Sequence, residues 1–270
     1  MSGGGTGGEG ALERAFDGQA AAFERAPIQT DPGLLGALVA FADFPPGARV
    51  LDAGCGPGLV AEALLAAPGG YRILGCDLSG GMVDRARARC ARFGERAELV
   101  RASVRECADE IVAGRRAPVG GSISRFVLHH APDPGAFVAA QVEALAAGGV
   151  PGAVLVLADH LADADPELAA WHRRLETMRD RTHTTNVSGG ALVDLLAEAG
   201  LADLRYEEHP LGTDFEEWFA RGTPSTTREE CRDWLLDPRG RRSRAWRPAP
   251  MADGNVWIDG LIGYARGVMR

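Results

Sequence analysis

Apolar and polar positions follow two alternating regimes along this chain. Residues 48–53, 71–77, 97–102 and 154–158 are short runs centred on apolar side chains, the pattern of strands covered on both faces of a sheet. Between them, apolar residues recur at helical spacing. Pro45-Pro46-Gly47 is a turn into the first strand, and a helix over 79–93 follows the second. A fourth strand segment, 122–128, precedes a helix over 133–147 that stops at Gly148-Gly149. Strands alternating with helices predict a doubly wound, mostly parallel α/β sheet with helices on both faces.

The flanks depart from that alternation. Upstream, residues 11–25 read as a helix with Leu12, Ala15, Phe16, Gln19 and Phe23 near one face, and Asp31 caps a second helix ending near Phe41. Downstream come a helical insert over 165–181 and a Ser188-capped helix with Leu192, Leu195, Leu196 and Leu201 on its apolar stripe. Then follow a strand over 202–208, short helices at 216–220 and 227–236, and a last strand over 256–268. The predicted organisation is a disordered tail (1–10), a helical lid segment (11–45), a core (46–160), a helical cap (161–187) and the rest of the core (188–270), with a second insert at about 211–253.

Composition narrows the function. A chain of 270 residues, 46% hydrophobic, can bury a sizeable core. A net charge of −8 argues against a nucleic-acid or anionic-membrane surface. All 29 basic residues are arginine, so Schiff-base and pyridoxal chemistry have no lysine to use. The cluster Arg239, Arg241, Arg242, Arg244 and Arg247 reads as an exposed loop. Cys55, Cys76, Cys90, Cys107 and Cys231 form no C-x-x-C pair, the usage of reduced thiols. With no signal peptide and no run of 18 apolar residues, a soluble cytoplasmic protein is expected.

The densest chemical signal is the segment from Val50 to Leu59, followed by Gly75-Cys76-Asp77-Leu78-Ser79. It reads as a buried strand, a glycine turn opening a helix, and a second strand ending in an acid. Gly54, Gly56 and Gly58 let the backbone turn sharply and let a ligand touch it, while Pro57 suits a first helical position. Asp77 stands where a carboxylate can hold two ribose hydroxyls. A dinucleotide fingerprint wants its third glycine where this chain has Leu59, and a Walker loop requires a lysine. What remains is a ligand with ribose and adenine but no pyrophosphate, against the plain alternative of a glycine turn with no ligand.

Asp52-Ala53-Gly54-Cys55-Gly56-Pro57-Gly58 with Asp77-Leu78-Ser79 resembles class I S-adenosylmethionine (SAM)-dependent methyltransferases. Three further stretches resemble the quinone-biosynthesis-type (ubiE-like) small-molecule enzymes of that class: the run from Ser124 to His130, Ala158-Asp159-His160, and Arg179-Asp180-Arg181-Thr182-His183. The resemblance implies a seven-stranded sheet with an antiparallel last strand and a lid over the cofactor. It implies that the Gly54–Gly56 backbone, with Asp52, Cys55 and Gly58, faces the methionine part and that Asp77 holds the ribose. Leu78 and Met82 then flank adenine, with Ser103 and Val104 beside it, and backbone near Ser124 receives the amino group. Three departures stand out: Ser103 where the family often has an acid, Val119-Gly120-Gly121 where an acid usually opens strand four, and a small insertion at Val150-Pro151-Gly152.

Methyl transfer from a sulfonium needs in-line positioning and water exclusion more than acid–base help. If a base is used, His130, His160 and His183 are the candidates, set against packing or capping at a strand end. His172, Glu176, Arg179 and His183 share one helical face if the helix runs that far, which makes them substrate-contact candidates or an ordinary solvated stripe. Trp218, with Phe219 and Trp234, either walls an acceptor pocket or packs in the core. No metal is expected: His160, His172 and His183 have no recognised ligand spacing. The expected activity is methylation of a small, apolar or aromatic acceptor at oxygen, nitrogen or carbon. The rival readings are a cyclisation or rearrangement on the same cofactor and a non-enzymatic SAM-binding partner or sensor. Partners expected are the small molecule alone, without nucleic acid or membrane; a homodimer is left open.

Overall fold

The computed structural model describes residues 26–270 together with Gly10, Phe16, Asp17 and Glu24. The tail over 1–9 and most of the expected helix over 11–25, including Leu12, Ala15, Gln19 and Phe23, lie outside the described residues. Among the described residues the strands are β1 (Arg49–Ala53), β2 (Arg72–Asp77), β3 (Ala97–Arg101), β4 (Gly121–Arg125), β5 (Val154–His160), β6 (Ala202–Asp214), β7 (Trp246–Pro250) and β8 (Val256–Val268). They form one sheet in the order β3-β2-β1-β4-β5-β8-β6, with β7 also paired to β8. The first five strands are mutually parallel, and β8 runs antiparallel to β5, β6 and β7. Strand order reverses at β1, which lies between β2 and β4, so a crevice opens beyond its carboxyl end.

Successive strand residues point to opposite faces, and both faces are apolar. Val50 and Ile73 belong to the core under the helices Pro32–Ala42, Leu59–Ala66 and Gly80–Cys90, with Leu38, Leu64 and Val83. Leu51 and Leu74 belong to the opposite core, with Cys107, Leu145 and Leu192 from Val104–Val112, Pro134–Gly148 and Gly189–Glu198. Asp31 and Ser188 cap as expected, and Ser79 and Asp133, read as first helical residues, do the same: each side chain accepts a backbone N–H of the helix it precedes. All five cysteines are free and buried.

Three expectations are corrected. The sheet has eight strands, because Trp246–Pro250 pairs with β8 instead of belonging to a wholly helical insert. Pro248 and Pro250 are tolerated because β7 is an edge strand, paired to β8 alone, where a missing N–H costs no ladder bond. The expected strand over 202–208 continues to Asp214 along the whole of β8. The arginine cluster is no loop: Arg239, Arg241 and Arg242 lie in the helix Pro238–Arg242 and Arg247 in β7, with Arg239 paired to Asp237 and Arg247 to Asp259.

Gly121, which opens β4, has a packing reason to be glycine. A Cβ at Gly121 would lie 2.6 Å from the Phe44 ring and 3.3 Å from Val50, and both neighbours are buried. Gly121→Ala should therefore lower stability by about 1–3 kcal/mol through overpacking, measured by chemical denaturation. Phe44→Leu on that background should recover part of the loss, whereas additive effects would refute the steric cause.

Candidate active site

The glycine turn follows β1 directly. Gly54, Gly56 and Gly58 have φ of 74°, 50° and 81°, and the Gly54 and Cys55 N–H groups both donate to the Cys76 carbonyl at 2.9 Å. Two of the glycines answer different demands. A Cβ at Gly54 would strike Val127 at 2.7 Å, so here the turn needs room for a neighbouring chain. A Cβ at Gly56 would meet nothing within 4 Å, which is open space over a left-handed backbone.

Asp77 is turned toward that opening. Its Oδ2 accepts the Gly56 N–H and its Oδ1 the Ser79 N–H, both at 2.9 Å. Each oxygen keeps a lone pair for a hydroxyl. Asp52 lies beneath, 1% exposed, with Oδ2 lacking any partner. Burial, with the charge of Asp77 adding, pushes its carboxyl up to about 7. An orphaned buried carboxylate oxygen beside an open turn suits a cationic ligand. Ribose hydroxyls at Asp77 and a sulfonium or ammonium above Asp52 therefore fit SAM.

Leu78 is half-buried and Met82 buried, with the Met82 N–H donating to Ser79 Oγ at 3.0 Å. Ser103 is engaged elsewhere: its hydroxyl and backbone form a capping box with Glu106 that starts Val104–Val112. Its hydroxyl thus serves the helix first, which explains a serine at that position. Ser124 is buried within β4. The leading segment reaches this edge too. Asp17 Oδ1 accepts from Ser79 Oγ at 2.5 Å and from the Gly81 N–H at 3.0 Å, and Phe16 meets the His130 ring edge-on at 4.9 Å.

Beyond β4 the chain bends sharply. Phe126 has φ 58°, rare for a non-glycine residue, and its N–H donates to the Ala158 carbonyl. The bend delivers the short 3₁₀ turn Leu128–His130 beside the end of β5. There the buried Asp159 carboxylate organises its neighbours: Oδ1 contacts His129 Nδ1 at 2.6 Å and accepts the His160 N–H at 2.8 Å, while Oδ2 accepts the His129 N–H at 3.3 Å. The His129 ring lies 4.2 Å from that of His160 and 5.2 Å from that of His183, between centroids.

The cap helix Pro166–Arg179 ends before His183, contrary to the single helical face read from spacing. His183 returns on the following loop, which Thr184 fastens to the His129 and Ala131 carbonyls, and its Nδ1 stands 3.7 Å from Glu176. Arg179 donates through Nε to the Trp218 carbonyl at 2.9 Å and lies 3.5 Å from Glu176. Glu176, Arg179 and Trp218 line a cavity together with His129, His130, His160, Phe126 and Trp246. His172 does not line it: the ring stacks on Trp246 at 5.2 Å, behind the cavity wall, with Nε2 3.5 Å from Glu176. Trp234 packs away from it, exchanging indole-to-carbonyl hydrogen bonds with Trp171.

Burial holds His129, His160 and His183 below the usual histidine range and lowers His130 to about 4, so these imidazoles are neutral near pH 7. Burial acts upward on Glu176, but the His172 ring and the charge of Arg179 outweigh it, and the carboxyl is held well below its usual value. Sequence reasoning missed Asp159 and Trp246 as site residues and treated His129 as packing. A carboxylate next to His160 at a strand end was the available signal for the first. Trp246 carried none, its strand being unread. The cavity's free space is about 40 Å³, far below the roughly 300 Å³ or more of ordinary ligand pockets.

Known proteins align with this picture. The family model described as a methyltransferase domain matches residues 50–149. A ubiquinone biosynthesis O-methyltransferase of Aromatoleum aromaticum is 34% identical over 103 residues, covering 38% of this chain and 42% of the relative, so the chain spans about two fifths of that protein's length. The crystal structure of the YcgJ protein from Bacillus subtilis superposes with a TM-score of 0.73 at 20% identity, over 87% of this chain and 97% of that one. A phosphoethanolamine N-methyltransferase of Haemonchus contortus, solved with phosphomonomethylethanolamine and S-adenosylhomocysteine, gives 0.56 at 15% identity, over 88% of this chain and 52% of that one. The turn and its acid thus lie within the segment, residues 50–149, that the methyltransferase-domain model matches from the first core strand onward.

Proposed function

We propose that the protein transfers a methyl group from SAM to a small-molecule acceptor. The observation that carries this reading is the pairing of Asp77 with the Gly56 N–H across an open turn, together with the orphaned buried oxygen of Asp52. SAM, when bound, supplies a methyl group already activated on a sulfonium. Asp77 holds the ribose and Asp52 attracts the cationic end, while Leu78 and Met82 contact the base. Phe126, Leu211, Trp218 and Trp246 offer an apolar wall for an aromatic or aliphatic acceptor, with Arg179 and Arg221 at its polar end. With so little free space, the acceptor enters by displacing lining side chains.

His130 is the base for an acceptor that must lose a proton. Its Nδ1 lies 3.1 Å from the Thr182 carbonyl, an arrangement that places the ring proton on Nδ1 and leaves the Nε2 lone pair available. Among the described residues no helix is long and apolar enough to cross a membrane. With the five free thiols and the negative charge, a cytoplasmic enzyme of secondary metabolism, free or as a homodimer, completes the reading.

Isothermal titration with SAM tests the first half: Asp77→Asn should weaken binding by about 10- to 100-fold, the equivalent of one or two charged hydrogen bonds. No measurable SAM binding by the unaltered chain would end the proposal. The pH dependence has a definite sign. A cation favours ionised Asp52, so binding releases a proton below pH 7; affinity should rise between pH 5 and 7 by at most about tenfold per unit, then level off. Asp52→Asn should remove most of that slope, and an unchanged slope would show that another group is responsible. His130→Ala should cut turnover by about 10²–10⁴-fold while leaving SAM affinity intact; comparing kcat with the SAM titration checks it.

A further inference from the structure

Of the six histidines in the chain, three converge in a way that methyl transfer does not need. His129, His160 and His183 are all buried, and each offers a ring nitrogen within 4.8 Å of the other two. On each ring, one nitrogen has an oxygen neighbour. Asp159 Oδ1 takes His129 Nδ1 at 2.6 Å and stands 3.5 Å from His160 Nδ1, while Asn186 Oδ1 takes His183 Nε2 at 3.0 Å. The opposite nitrogen of His160 and of His183 is buried without any hydrogen-bond partner. Buried polar atoms are normally satisfied, and two such orphans aimed into one cluster require an explanation.

We propose that His129 Nε2, His160 Nε2 and His183 Nδ1 form a binding site for one divalent transition-metal ion of the zinc, iron or nickel type. Imidazole nitrogens suit those metals. An oxygen behind each ligating ring, fixing its tautomer and orientation, is the usual outer shell of such sites. Three protein ligands leave a position open, as in catalytic and not structural sites. Two of the three ligands, His129 and His160, also line the cavity, whose free space of about 40 Å³ suits a metal-bound water or one acceptor oxygen. Glu176, also without hydrogen-bond partners and 3.7 Å from His183 Nδ1, supplies nearby negative charge for the ion. This trio differs from the one considered from sequence: His129 takes the place of His172, which stands behind the wall.

The metal site stands on these side chains and not on methyl transfer. Its use, which does rest on that reading, is to hold an acceptor hydroxyl in its anionic form beside the methyl donor.

The test uses the full chain, stripped with a chelator and titrated with Co²⁺ and then Zn²⁺ in the absence of SAM. One equivalent of Co²⁺ should bind with the strong visible absorption of a four- or five-coordinate ion, displaced by Zn²⁺. His160→Ala and His183→Ala should each abolish that absorption, and Asp159→Asn should weaken binding by about 10-fold or more. His172→Ala and the remote His209→Ala should leave one equivalent bound. Circular dichroism identifies any variant that fails to fold; the spectrum of the unaltered chain then decides alone. Binding of less than one equivalent, a spectrum of hydrated octahedral Co²⁺, or full binding after loss of His160 or His183 would overturn the proposal. Because SAM is absent throughout, failure here leaves the methyltransferase reading to its own titration.

Discussion

Parallel alignment of β2, β1, β4 and β5 puts four carboxyl ends on one edge of the sheet, and the rest of the molecule is arranged around the cost of that edge. Three of those strands bring a carboxylate there: Asp77, Asp52 and Asp159. Burial raises the pKa of all three, so each stays ionised only if something answers it. The backbone amides of Gly56 and Ser79 answer Asp77, and those of His129 and His160 answer Asp159. Asp52 keeps an unanswered oxygen. Satisfied acids here orient other groups, and the unsatisfied one marks where a cation belongs.

How far the sequence disclosed this depends on whether a feature is local. The glycine turn was legible because its strand, turn and acid lie within some thirty consecutive positions and each has a backbone reason. Strand β8 and the caps at Asp31 and Ser188 were legible for the same reason. The histidine centre was not, since it is assembled from the 3₁₀ turn after β4, the end of β5 and a loop beyond the cap helix. Helical spacing grouped His172, Glu176, Arg179 and His183, but Asp180 ends the helix and tertiary contacts bring His183 back by another route. Ser103, matched to a cofactor position, also has a local task that spacing did not disclose: it starts the helix Val104–Val112 through its capping box with Glu106.

The two centres are not independent, because one short segment builds both. Val127 occupies the space that a side chain at Gly54 would need, so it braces the glycine turn from below. Phe126, immediately before it, holds the left-handed bend, and its N–H is tied to β5 at Ala158. Two residues after Val127 comes His129, whose ring and backbone are fixed to Asp159. A strained backbone persists only where its surroundings over-determine it, and here both sides do. Displacing Val127 would loosen the turn that faces the cofactor and shift the histidines by the same movement. The bend at Phe126 is therefore the mechanical link that sets the distance between the glycine turn and the histidine cluster.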